Sequence, residues 1–174
     1  MKEPEHGSGG AVQPSTSTPP APGGKAPIFV AVDFSTHSEH ALVWAYDHAK
    51  QLDAPLELLH VAHDPANAPG TYRPENGDPL EPMTDVAQRK LAAYLDDVRE
   101  RHPEIPALSA IKTHCKSGLP VDTILRTAAD RGASLLVVGC HGHNGAARLL
   151  FGSTSQSVAQ KARIPVTIVK ANDR

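Results

Sequence analysis

The sequence predicts an α/β protein, a doubly wound, Rossmann-like parallel sheet of five strands with helices on both faces. Three observations carry that expectation. Short apolar runs such as "PIFVAV" and "SLLVVG" have the length and β-branched content of strands buried on both faces. Longer stretches between such runs carry apolar residues at helical spacing. The two kinds alternate as β-α-β-α-β-α-β-α-β, which calls for parallel strands joined by right-handed crossovers.

Residues 1–26 precede this pattern. They are Pro, Gly, Ser and Thr with almost nothing to bury, so a disordered tail is expected there and an ordered domain over 27–174. Strand one is read at 27–33. The helix after it, "THSEHALVWAYDHAKQL", is read with a capping box from Thr36 to Glu39 and a stripe of Ala41, Leu42, Ala45, Tyr46, Ala49 and Leu52. Strand two runs over 56–62. The Pro-, Gly- and Asn-rich 63–79 segment reads as a long loop. A helix follows over 80–102, with Met83, Ala87, Leu91, Tyr94, Leu95 and Val98 on its apolar side and Pro103 as its stop.

"LSAIKTHC" alternates and reads as strand three. Pro120 and Gly132 bracket the next helix, whose face is Val121, Ile124, Leu125 and Ala128. Strand four is "SLLVVG", the last helix is read over 156–162, and "IPVTIVK" is strand five. The wholly apolar strands one and four belong in the centre and the polar strand three at an edge. The order 3-2-1-4-5 satisfies both.

Composition narrows the function. The 174 residues suit one domain, and the net charge of -2 offers no basic footprint for nucleic acid or an acidic membrane surface. Two cysteines, Cys115 and Cys140, argue against a disulfide scaffold. The N-terminus has no apolar signal region, and no run of about 18 apolar residues is present. The expectation is a cytoplasmic protein with no membrane insertion.

In an open parallel sheet, ligands bind beyond the carboxyl ends of the strands, where the winding reverses. In the expected order that place lies between strand one, ending at Asp33, and strand four, ending at Gly139. Strand four runs into "GCHGHNGAARLLFGSTS", an unusually long connection. Its glycines allow close backbone approach, and Gly152, Ser153, Thr154 and Ser155 open a helix whose first N–H groups suit an anion. Hydroxyls of all three hydroxyl residues are candidate donors. Ser153 and Gln156 also fit a capping box, so a plain capped helix start is the competing reading. The spacing matches neither Walker A nor the dinucleotide fingerprint. Cys140, His141 and His143, with His114 and Cys115, match no zinc spacing, so no metal site is expected. Strands three and four should be too far apart for a Cys115–Cys140 disulfide.

Gly139-x-x-Gly142, nine residues, then Gly152-Ser153 resembles the G-2x-G-9x-G-[ST] signature of the universal stress protein (UspA-like) family, in its ATP-binding branch. "VDFS" after strand one, "LLHV" in strand two, Gly118-x-Pro120 and the closing "IPVTIVK" look like the same family, over about residues 27–170. The resemblance implies the adenine nucleotide alpha hydrolase-like fold. It implies that Asp33 and the Val61 backbone flank adenine, that Val138 and Gly139 lie beside the ribose, and that Gly142, Gly152, Ser153 and Thr154 hold the phosphates. His141 is expected near a phosphate.

The implied cofactor is ATP with Mg2+ or Mn2+. The implied partner is a second copy, paired through strand five (about 165–170) by Val166, Ile168 and Val169. Phe34 stands where the family often has glycine and is expected to narrow the pocket near the base. No catalytic residue is assigned, although Arg148 could reach a γ-phosphate. The expected role is a nucleotide-dependent stress-response regulator or sensor, in which ATP orders the 140–151 and 63–79 loops. A nucleotide-free dimeric scaffold and a slow ATPase are the rivals.

Overall fold

A computed structural model describes residues 24–63, 71–72, 81–105, 108, 110–141 and 151–171. Most of the expected tail, much of the 63–79 loop, and Gly142, His143 and Arg148 lie outside the described residues.

The elements are β1 (Ile28–Val32), α1 (Thr36–Leu52), β2 (Leu56–His63), β3 (Thr71–Tyr72), β4 (Glu81–Pro82), α2 (Met83–Arg101), β5 (Lys112–Gly118), α3 (Pro120–Asp130), β6 (Leu135–Gly139), α4 (Ser153–Lys161) and β7 (Val166–Val169). The main sheet has the order β5-β2-β1-β6-β7, with every neighbouring pair parallel. Since β5, β6 and β7 are the third, fourth and fifth strands of the sequence reading, this is the expected 3-2-1-4-5.

The alternation of each strand sends its side chains to two cores. Ile28, Val30, Val32, Leu58 and Val137 meet α1 and α2 residues on one face. Phe29, Leu59, Leu136 and Val138 meet Ile124, Ala128 and Val158 on the other. Both faces are covered, which is why β1 and β6 read as continuous apolar runs.

Several boundaries moved. The third strand is Lys112–Gly118 rather than 108–115, because Leu108 turns inward and is almost wholly buried beside Ile105. Those two side chains plug the α1–α2 core, and β5 begins only where Lys112 comes into register with Glu57. Thr71–Tyr72 pairs antiparallel with Glu81–Pro82 within the stretch taken for a loop and the start of the following helix. Leu52, expected on the apolar stripe of α1, is 52% exposed in the helix's last turn, where Asp53 in the left-handed region ends it. On α2 the buried face also includes Val86, which the stripe omitted. α4 starts at Ser153, three residues before its predicted start.

Candidate functional site

Beyond the carboxyl end of β1 the chain makes a tight turn. Asp33 Oδ1 accepts the Ser35 amide at 3.2 Å and the Ser35 hydroxyl at 2.6 Å. An Asp side chain closing on the backbone two residues ahead is a common turn device. Ser35, not Thr36, is the N-cap of α1: its Oγ accepts from the Ser38 amide at 3.2 Å. The expected capping box is therefore wrong. Glu39 does not turn back to the cap; it receives Arg101 through paired bonds of 2.9 and 2.8 Å and His102 at 3.1 Å. Burial works against its charge, but Arg101 and His102 outweigh burial and hold the carboxyl below the usual range.

The turn places Phe34 at φ 66°, the left-handed region that favours glycine. Phe34 does not stand free there. Its ring stacks on His60 at 4.1 Å between centroids and tilts against Tyr94 at 5.2 Å. His60 Nδ1 lies 2.9 Å from the Val32 carbonyl, which requires the proton on that nitrogen. Burial pushes the His60 imidazole below its ordinary pKa, with the Val32 bond and the Asp33 charge opposing. Tyr94 Oη is buried with no hydrogen bond of good geometry among the described residues, and burial raises its pKa. An aromatic wall therefore stands on the α2 side of the turn.

The other wall is the end of β6. Gly139 is packed against the first turn of α1, where a Cβ would come within 2.7 Å of the His37 carbonyl carbon and 2.8 Å of the Ser38 nitrogen. Past it, the buried Cys140 ties α4 to the sheet. Its carbonyl accepts the Gly152 amide at 2.8 Å, and the Ser155 hydroxyl lies 2.9 Å from it and 2.9 Å from the Gly152 carbonyl. Ser155 is thus turned inward and spent on the fold, which corrects its reading as a candidate donor to an anion. Gly152 is the N-cap of α4 and, as glycine, supplies no side-chain cap of its own. The Ser153–Gln156 box is absent because Ser153 is already the first helical residue, not the residue before it. Ser153 and Thr154 are exposed.

The sites read from the sequence can now be placed. Asp33 follows β1, Val61 lies on β2 near its carboxyl end, and Val138 and Gly139 end β6 beside β1. Gly152, Ser153 and Thr154 begin α4, and His141 adjoins them: the Gly152 Cβ position is 3.4 Å from His141 Cα. All occupy the same end of the sheet. Gly142 lies outside the described residues. Sequence reasoning passed over Ser35, whose hydroxyl holds Asp33 and comes within 3.4 Å of the His141 carbonyl. The Asp-x-Ser spacing was its only signal. It also passed over His37, whose ring meets that of His141 at 5.2 Å, edge to face.

The reversal point of the sheet therefore has a carboxylate turn on one side and the N-terminus of α4 on the other. The sequence profile of the universal stress protein family matches residues 26–170, and the chain belongs to that family. It is 30% identical over 148 residues to the universal stress protein YxiE of Bacillus subtilis, covering 82% of this chain and 97% of that protein. It is 32% identical over 148 residues to Rv2623 of Mycobacterium tuberculosis, covering 84% of this chain and 46% of that protein. The chain thus spans about half the length of the mycobacterial relatives it matches and nearly all of the Bacillus one.

Among solved structures, UspA of Lactobacillus plantarum matches with a TM-score of 0.63 at 28% identity, over 84% of this chain and 98% of that one. A universal stress protein in complex with cAMP (TM-score 0.56, 24% identity, 84% and 98% coverage) shares the fold. So does one from Archaeoglobus fulgidus in complex with dAMP (TM-score 0.53, 21% identity, 83% and 98% coverage). No helix among the described residues is long and apolar enough to cross a membrane.

Proposed function

We propose that this chain binds ATP in the β1/β6 crevice and acts as a nucleotide-dependent regulator or sensor in the stress response. The observation that carries the reading is the convergence of the Asp33–Ser35 turn and the α4 N-terminus at the reversal point of the sheet. An anion fits there, because the leading N–H groups of a helix lack internal partners and its dipole end is positive. The base lies toward Asp33 and the Val61 backbone, the ribose beside Val138 and Gly139, and the phosphates at Gly142, Gly152, Ser153, Thr154 and His141. The cAMP and dAMP bound by the two related structures support an adenine nucleotide as the ligand class. The phosphates bring the Mg2+ or Mn2+ with them.

The protein functions as a homodimer through β7. That strand ends the sheet, and its half-buried Val166, Ile168 and Val169 lie on the edge strand, where a second copy would pair.

Calorimetric titration with Mg·ATP tests the reading, with Gly142→Asp alongside. A carboxylate where phosphate belongs repels it. Saturable binding by the wild type that is lost in a folded Gly142→Asp protein is the expected result. No saturable binding by the wild type would overturn the reading and leave a dimeric scaffold. Turnover of ATP that vanishes in Asp33→Ala while affinity is kept would make the protein a slow ATPase instead.

A further inference from the structure

We propose that one flank of α1, marked by Trp44, His48 and Leu52, is an interaction surface for a second copy of this chain, continuous with the β7 edge and completing the interface that β7 begins. The proposal rests on the homodimer reading above and assigns it a surface that reading does not include. At 3.6 residues per turn, His37, Trp44, His48 and Leu52 fall within about 80° of one another around α1. No carboxylate, ammonium or guanidinium lies in that arc. Glu39, on the far side of the helix, reaches Arg101 and His102 at the end of α2. His37 instead meets His141 just past β6. The stripe therefore faces away from α2 and toward the β7 side of the sheet, and α1 packs over β1, β6 and β7.

Trp44 is 37% exposed and Leu52 52%, two of the four large apolar side chains exposed among the described residues. Single exposed apolar side chains are ordinary; two on one uncharged flank beside an open sheet edge mark a contact surface. The Trp44 ring is stacked on His48 at 4.8 Å and 20°, which holds the indole in place before a partner arrives. A second copy fits this surface for reasons of size, continuity and charge. β7 has four residues, so its edge spans only about 13 Å, and such a seam falls far short of the roughly 800 Å² per partner that a stable interface buries. The missing area must come from what stands beside the edge. On the α1 face of the sheet the surface is unbroken: Val169 packs into the α1 core, and Thr167, by alternation, faces the same way. Antiparallel pairing of β7 with its copy sets a two-fold axis through the sheet. Both α1 helices then stay on one face, with their stripes turned toward each other over the joined edges. A stripe without charge meets its own copy with no like-charge repulsion.

The test uses the full chain, whose single tryptophan is Trp44, as its own reporter. Sedimentation across a dilution series gives the dimer dissociation constant, and indole emission is read on the same samples. Trp44 emission should move to longer wavelength at the concentration where the dimer dissociates. Trp44→Gln should raise the dissociation constant about thirtyfold, the effect of one hot-spot aromatic, and Leu52→Gln about fivefold. Lys50→Gln, exposed on the other side of α1, should leave it unchanged. Circular dichroism confirms that each variant is folded. Emission that stays constant through dissociation, or Trp44→Gln and Leu52→Gln dimers as tight as wild type, would overturn the proposal and leave the β7 homodimer standing. A wild-type chain that is monomeric at every concentration would overturn both.

Discussion

Replacing Gly139 by alanine should destabilise the protein far more than replacing Gly152, although both glycines belong to the same signature. At 139 a new Cβ would lie 2.7 Å from the His37 carbonyl carbon, 2.8 Å from the Ser38 nitrogen and 2.9 Å from the His37 oxygen. All three are backbone atoms of a helix start, so no side chain can rotate away and α1 itself must shift. Overpacking of this kind costs about 1–3 kcal/mol, and the rigid neighbours put this site in the upper half, about 2–3 kcal/mol. For a chain of this size each kcal/mol moves Tm by about 2–4 °C, so a fall of about 4–12 °C is expected. At 152 the tightest contact is 3.2 Å, to the Cys140 oxygen, and φ is -68°. The loss there is mainly that of a preferred N-cap residue, about 1 kcal/mol or less. Urea denaturation of both variants, with the slopes compared, reads the difference directly. A Gly139→Ala protein as stable as wild type, or less affected than Gly152→Ala, would refute the claim that Gly139 is required by packing.

Ser35→Ala removes both the α1 cap and the clasp on Asp33 and should cost about 1–2 kcal/mol in thermal unfolding; an unchanged Tm would show that Thr36 can take over the cap. Glu57 is 6% exposed and receives Arg131 through bonds of 2.9 and 2.9 Å and His114 at 2.7 Å. Glu57→Ala should cost about 3 kcal/mol, the low end for a broken buried pair because Arg131 keeps some solvent contact. Burial opposes the Glu57 charge, but Arg131 and His114 outweigh it and hold its pKa below the ordinary value. Its stabilisation is thus present above the unfolded pKa and disappears as pH falls through the folded one. The wild-type advantage over Glu57→Ala in urea should accordingly shrink in acid and stay level from about pH 5 to 7; an advantage that persists in strong acid would contradict this. Tyr94→Phe removes a hydroxyl with no hydrogen bond of good geometry among the described residues and should leave stability unchanged or raise it by up to about 1 kcal/mol. A clear loss would mean that the hydroxyl is bonded in solution, with Ser38 the nearest candidate.

The fold was legible because burial on two faces leaves uninterrupted apolar runs, and because amphipathic helices repeat at their own period. β1, β2, β6 and three of the helices are close to where those patterns put them. β5 slipped because Leu108 serves the core as a plug, and a plug and a strand residue look alike in one dimension. The local geometry at the candidate site was legible wherever one short motif carries it: the Asp33 turn, the Gly139 approach and the α4 start. It was not legible where a contact joins residues far apart in the sequence. Nothing in the sequence says that His37 meets His141, that Arg131 closes on Glu57, or that Phe34 is held in a glycine-like conformation by His60 and Tyr94. Caps were misplaced by a single residue. The rule looks for a hydroxyl with Glu or Gln three later, whereas the fold chose Ser35, which Asp33 could hold, and Gly152, which Cys140 could.

The most direct test of the account is amide chemical-shift mapping of the folded protein by heteronuclear NMR during titration with Mg·ATP. The account predicts saturable shifts concentrated at Asp33, Val61, Gly139, Gly152, Ser153 and Thr154, with little change at Ile28, Leu56 and Leu135, which begin the strands at the far end of the sheet. Saturable shifts clustered elsewhere, or none at all, would contradict it.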